Sequence, residues 1–166
     1  GTLRYDSKTR FISYWHQINL VAQAEPESVL EVGVGNGFVH KYLRDRGTNI
    51  HTLDFDERLK PDTVGSVLDR VARREVLISL PDRTPCIRLD LEWHFHTGIT
   101  QAITDLPNPR PEVHEFDGQH YWEIGRKGWP LSRIISHIER HGLKVEDAFR
   151  VFENPYHRFF RCVKHR

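Results

Sequence analysis

The run Glu31, Val32, Gly33, Val34, Gly35, Asn36, Gly37 restricts the possible folds more than any other part of the chain. It follows Ser28 to Val34, a short apolar stretch rich in β-branched residues, and precedes Phe38 to Arg46, whose spacing predicts a helix stopped by Gly47. Between a strand and a helix, glycines let the backbone turn sharply and approach a ligand closely, while the unpaired amides of the helix start face whatever binds there. Asn49 to Asp54 reads as the next strand, so the opening third predicts a β-α-β unit with buried parallel strands. Asp54 ends that second strand about 20 positions beyond the turn, where a carboxylate would accept hydrogen bonds from both hydroxyls of a ribose. A nicotinamide-type fingerprint calls for glycine at the sixth position counted from Gly33. Phe38 stands there, which weakens the dinucleotide alternative.

Further elements follow from periodicity. Tyr5 to Ala24 predicts a leading amphipathic helix closed by Glu25 and Pro26, with Trp15 as a core anchor. Thr63 to Val67 predicts a short third strand, and Glu75 to Leu80 a clearer one ending at Pro81. The Pro107 to Pro111 segment fits neither helix nor central strand. Leu131 to His141 predicts a helix capped by Gly142. Lys144 to Phe152 and Arg158 to Lys164 predict an antiparallel strand pair joined through Asn154 and Pro155.

The length of 166 residues suits a single domain, 1–166. No apolar run approaches the ~20 residues that span a bilayer, and no signal-peptide pattern is present. Cys86 and Cys162 have neither metal-ligand nor disulfide-framework spacing, so a reducing, cytoplasmic setting is expected. The balance of 24 Lys plus Arg against 23 Asp plus Glu predicts no nucleic-acid or anionic-lipid partner. Methionine is absent and the chain opens on Gly1, the marks of an edited sequence.

From about Tyr14 onward, the acid-x-Gly-x-Gly-x-Gly run in its strand-turn-helix setting resembles the class I S-adenosylmethionine-dependent methyltransferases, in particular type 11-like members. The resemblance implies an α/β, Rossmann-like fold: a mostly parallel sheet with helices on both faces and an antiparallel C-terminal strand pair. It implies S-adenosylmethionine as cofactor, with Glu31, Gly33, Gly35 and Gly37 at the turn and Asp54 and Phe55 at the ribose. Ser66, Val67 and Asp69 would hold adenine, Ser66 standing where the family often has Asp. Tyr14 and His16 would close over the methionine part. The stretches His120 to Gly125 and Asn154 to Phe160 look like those of methyltransferases acting on small-molecule or glycan-linked acceptors, and residues of about 93–129 would form a lid that selects the substrate.

Methyl transfer from a sulfonium depends on in-line placement and needs a base only where the acceptor carries a proton. His120 and then His157 are the candidates for that base. Two alternatives are weighed against the methyltransferase reading. One is a metal-binding protein using His94, His96, His114 and Glu115. The other is a cofactor-binding domain without turnover. The link before Glu75 also conflicts with the family pattern, in which a fourth strand and its helices precede that strand. Seven residues span at most about 25 Å, too little for a parallel crossover. Either a strand and a helix are missing between Val67 and Arg73, or the sheet is rearranged.

Overall fold

The computed structural model describes residues 7–54, 56–64, 75–93, 98–116 and 121–164. They fall into two compact units, Gly1–Arg73 and Arg74–Arg166.

The N-terminal unit holds helix α1 (Lys8–Ala24), strand β1 (Val29–Val32), helix α2 (Phe38–Asp45), strand β2 (Ile50–Asp54), a 3-10 turn at Glu57–Leu59 and strand β3 (Thr63–Val64). Ser7 caps α1 by accepting a hydrogen bond from the Arg10 amide, and Glu25 ends it in the left-handed conformation. The strands run parallel in the order β1-β2-β3, with Val29 opposite Ile50 and Leu53 opposite Thr63. Tyr14, Val39, Leu43 and Ile50 form the core, with Ile18, Val21, Val29 and Phe38 packed against them. Asp62 pins β2 near its partner strand, accepting from the Thr52 amide at 2.9 Å and from Arg44 at 2.8 Å.

Trp15 is not the core anchor that the helical spacing suggests, because it is 58% exposed while Tyr14 beside it is 9% exposed. Successive helical residues differ by about 100° in direction. The buried stripe runs through Tyr14, Ile18 and Val21, and Trp15 lies one step off it.

The C-terminal unit holds β4 (Glu75–Pro81), β5 (Cys86–Trp93), β6 (Gly98–Asp105), α3 (Leu131–Arg140), β7 (Leu143–Val151) and β8 (Asn154–Lys164). β4, β8 and β7 form an antiparallel sheet in that order, and β5 and β6 form a separate antiparallel hairpin. Ile124, Ile134, Ile138, Phe160 and Cys162 make the core, joined by Val76, Ile78 and Leu80 of β4 and by Trp122 and Trp129. The two indoles stack with centroids 4.8 Å apart.

The C-terminal unit also holds a buried ionic cluster. Asp82, fully enclosed, accepts from Arg158 Nε at 2.6 Å and Arg150 Nε at 3.2 Å, and both guanidiniums also pair with Asp105. Burial alone would raise the Asp82 pKa, but hydrogen bonds from Arg150, Arg158 and Thr84 outweigh it and hold the carboxyl below its ordinary value.

The fold is thus mixed α/β, and two expectations need correcting. Among the described strands, parallel pairing is confined to β1, β2 and β3, apart from an isolated parallel bridge of Asp82 with Ile124, whereas β4 to β8 pair antiparallel, so the described sheets are not mostly parallel. Pro155 lies inside β8 and not in a turn, since the connection tightens to Phe152 and Glu153. No strand was expected between Pro81 and Pro107, where Cys86–Trp93 and Gly98–Asp105 pair antiparallel, and the second of these enters the expected lid.

Candidate functional site

β1 ends at the glycine run, where Gly33, Gly35 and Gly37 take φ values of 79°, 56° and 77°. These are left-handed conformations that cost a side-chain-bearing residue roughly 1–2 kcal/mol, so the run needs glycine for its shape. The turn is tied to β2 from both sides. The Gly33 amide donates to the Leu53 carbonyl at 2.9 Å, and the Val34 amide donates to Asp54 Oδ2 at 2.7 Å. The other Asp54 oxygen accepts from the Asp56 amide at 3.0 Å, which orients the carboxylate across the carboxyl ends of two parallel strands. Ligands of open α/β sheets bind at such ends. Asn36 Oδ1 accepts from the Phe38 amide at 3.0 Å and starts α2. A Cβ added at Gly33 would meet nothing within 4 Å, so the backbone there stands open to close approach.

Glu31, just before the turn, meets α2. Its Oε2 lies 2.8 Å from His40 Nδ1 on α2, with both side chains largely buried. Burial pushes the Glu31 carboxyl up to about 7, with Arg44 opposing and Asp54 adding to the shift. Burial, Arg44 and Lys41 lower the His40 pKa. The family resemblance implies a place for Glu31 at the cofactor; the structure gives it a partner that the sequence did not suggest, His40. Tyr14 stacks on Phe38, the first residue of α2, with centroids 5.5 Å apart. His16 meets the Trp15 ring edge-on at 4.9 Å. Phe55, Ser66, Val67 and Asp69, expected at ribose and adenine, lie outside the described residues.

The C-terminal unit holds a second concentration of chemistry. Arg83, Glu112, His114, Glu115, Glu123 and Arg126 line a groove of about 550 Å³. Glu123 is 2% exposed and accepts from the Tyr156 hydroxyl, from Arg83 Nε at 3.4 Å and from Arg126 Nε at 3.3 Å. Burial works against ionisation of Glu123, but the Tyr156 and Arg126 hydrogen bonds and the Arg83 charge prevail and lower its pKa. His114 Nδ1 lies 3.4 Å from Glu123 Oε2.

His157 sits elsewhere in this unit, on β8, with Nδ1 3.1 Å from Ser79 Oγ across the β4 pairing. His120, His94 and His96 lie outside the described residues. Among the described residues, no group of three or more His, Cys, Asp or Glu side chains is arranged to hold a metal ion, and no helix is long and apolar enough to cross a membrane. The role of Glu123 was not foreseen, because its four polar neighbours come from segments up to 40 residues away.

No family model and no curated protein matches the sequence. A solved structure does resemble the fold: that of the glycopeptide N-methyltransferase MtfA complexed with S-adenosyl-L-homocysteine, at a TM-score of 0.53 and 11% sequence identity. The match covers 89% of this chain and 87% of that one, so it takes in parts of both units. At that identity the likeness speaks for fold alone.

Proposed function

We propose that the chain is a single S-adenosylmethionine-dependent methyltransferase domain, 1–166, acting on a small-molecule or glycan-linked acceptor in the cytoplasm. The observation that carries this is the clasp of Asp54 on the glycine turn, at the carboxyl ends of β1 and β2. The donor set fits the cofactor. Open backbone at Gly33 admits a close ligand, and each Asp54 oxygen keeps acceptor capacity beyond its single amide bond. Gly33, Gly35 and Gly37 would form the cradle, Asp54 with Phe55 would take the ribose, and Ser66, Val67 and Asp69 the adenine. When bound, the sulfonium supplies an electrophilic methyl group. The protein holds and orients, and Tyr14 and His16 on α1 would shield the reacting end from water.

His120 and His157 are the proposed bases for an acceptor that carries a proton, and 93–129 the segment that selects the acceptor. MtfA acts on a glycopeptide, which agrees with an acceptor of this class.

Calorimetry with S-adenosyl-L-homocysteine tests the assignment. Binding is expected in the intact chain and at least tenfold weaker in Asp54→Ala. Tight NAD binding in its place, or unchanged affinity in the variant, overturns it. Turnover with an acceptor panel separates an active enzyme from a domain that only binds.

A further inference from the structure

Among the described residues, β5 pairs with β6 alone, so it keeps one edge without a strand beside it. A two-stranded ribbon is marginal in water by itself, and an eight-residue edge strand is a template for another chain. Which groups β5 turns outward follows from its ladder. The Leu106 amide donates to the Pro85 carbonyl at 2.8 Å, one step beyond the pair of Cys86 with Asp105. Opposed residues alternate between bonded and non-bonded pairs along an antiparallel ladder, and the register runs unbroken from Cys86 to Trp93. The backbone groups of Ile87, Leu89 and Leu91 therefore face β6, while those of Arg88 and Asp90 face the open edge.

The side chains divide in the same way. Ile87, Leu89 and Leu91 share one exposed face of the ribbon, an apolar stripe that faces water. Arg88 and Asp90 share the other face and are exposed as well. The Arg88 guanidinium donates to the Phe152 carbonyl at 3.1 Å and lies over the Phe152 ring, and a guanidinium has five N–H groups to offer. Edge charges of a single sign would repel a second copy. Arg88 and Asp90 are of opposite sign at alternate positions of one strand, so the edge complements itself.

We propose that two copies of the chain associate along this edge, β5 against β5, antiparallel about a twofold axis at Leu89. In that register Arg88 lies opposite Asp90 of the second copy and Asp90 opposite its Arg88, so one rotation makes two opposite-charge pairs. These are also the residues whose backbone groups face outward, so the same register forms ladder hydrogen bonds. Leu89 falls opposite Leu89 and Ile87 opposite Leu91 as non-bonded pairs, in which side chains approach most closely, and the two apolar stripes join into one. A shift of two residues in either direction opposes Arg88 to Arg88 or Asp90 to Asp90, and like charges directly opposite destabilise a sheet. A shift of one residue brings charged side chains onto the apolar face. Twofold pairing of one patch with itself is the commonest oligomer symmetry. The contact is one strand wide, at the small end of specific interfaces, so the expected form is a reversible, concentration-dependent dimer.

Sedimentation equilibrium of the full chain over a range of concentrations tests this. Wild type is expected to pass from monomer to dimer as concentration rises. Arg88→Asp and Asp90→Arg each replace both opposite-charge pairs by like-charge pairs and should weaken the dimer about tenfold or more. The double exchange, Arg88→Asp with Asp90→Arg, restores both pairs with their ends reversed and should return the dimer to within about threefold of wild type. That rescue distinguishes pairing between copies from loss of the Phe152 contact, which the double exchange also removes. Both positions are exposed, so circular dichroism should show an intact fold in all three variants. Wild type that stays monomeric at every concentration overturns the proposal. So does a dimer indifferent to the single reversals, or a double exchange that associates no better than they do.

Discussion

Gly125 and Gly142 share one backbone conformation, φ of 83° at each, but differ in surroundings, so the pair separates backbone strain from steric conflict. A Cβ at Gly142 would meet nothing within 4 Å, whereas one at Gly125 would lie 2.5 Å from the Thr84 amide nitrogen and 2.8 Å from Thr84 Cα. Those are backbone atoms and cannot rotate away. Ordinary carbon contacts lie near 3.5–4.0 Å, so the segments must part by roughly 1 Å. They are joined by two hydrogen bonds, Arg83 N to Ile124 O at 2.8 Å and Ile124 N to Pro81 O at 3.0 Å.

Gly142→Ala should therefore cost only the left-handed strain, roughly 1–2 kcal/mol. Gly125→Ala adds overpacking of about 1–3 kcal/mol, for a total of about 2–5 kcal/mol. Urea denaturation followed by far-ultraviolet circular dichroism measures both, with an unchanged m-value as the condition for comparing midpoints. Two variants equal within ~0.5 kcal/mol would refute the steric account. The parting also displaces Arg83 and Glu123, so Gly125→Ala should loosen the groove and Gly142→Ala should not.

Asp82→Asn leaves Arg150 and Arg158, both nearly buried, without their enclosed carboxylate, and should cost about 3–5 kcal/mol in denaturation. Because the Asp82 pKa is depressed on folding, its contribution is present above the unfolded value of 3.8 and disappears as pH falls through the lower folded value, which acid titration of wild type against Asp82→Asn should show. Glu31 behaves in the opposite sense. Its folded pKa of about 7 against 4.5 means that the folded state keeps a proton that the unfolded chain releases, so stability falls as pH rises between those values. The difference corresponds to at most roughly 3 kcal/mol. Glu31→Gln, a mimic of the protonated form, should match wild type at pH 4 and exceed it at pH 8; a constant offset between them would sink the assignment.

What was legible in the sequence was local. The Ser28 to Asp54 unit could be read because strand, turn and helix each carry their signal within a few residues, and the positive φ at Gly33, Gly35 and Gly37 is what those glycines permit. The partner of β4 was not legible, because Ile78 pairs with Phe160 across most of the C-terminal half. Charges that close over long separations are equally silent. Asp82 reaches Arg150 and Arg158 over 68 and 76 positions, and nothing local distinguishes these residues from solvated ones. The β5–β6 hairpin did carry a signal, since Ile87, Leu89 and Leu91 alternate with Arg88 and Asp90. Those three apolar residues are nonetheless 57%, 48% and 42% exposed.

The same contrast between local and distant pairing bears on the short link ahead of Glu75. The crossover rule applies to strands that lie parallel in one sheet, because the chain must travel back along the sheet before it can run forward again. β4 does not join β1, β2 and β3; it pairs antiparallel with β8, from Glu75 opposite Val163 to Pro81 opposite His157. A strand whose partner arrives from the C-terminus needs no return crossover from β3, and the step itself, at 65–74, lies outside the described residues. The proposed cofactor residues at the glycine turn depend only on β1, α2 and β2, all within one continuous stretch. Cofactor binding is therefore the part of the proposed function that a shortened sheet disturbs least. Turnover, which requires an acceptor held in line with the methyl group, is the part most exposed to it.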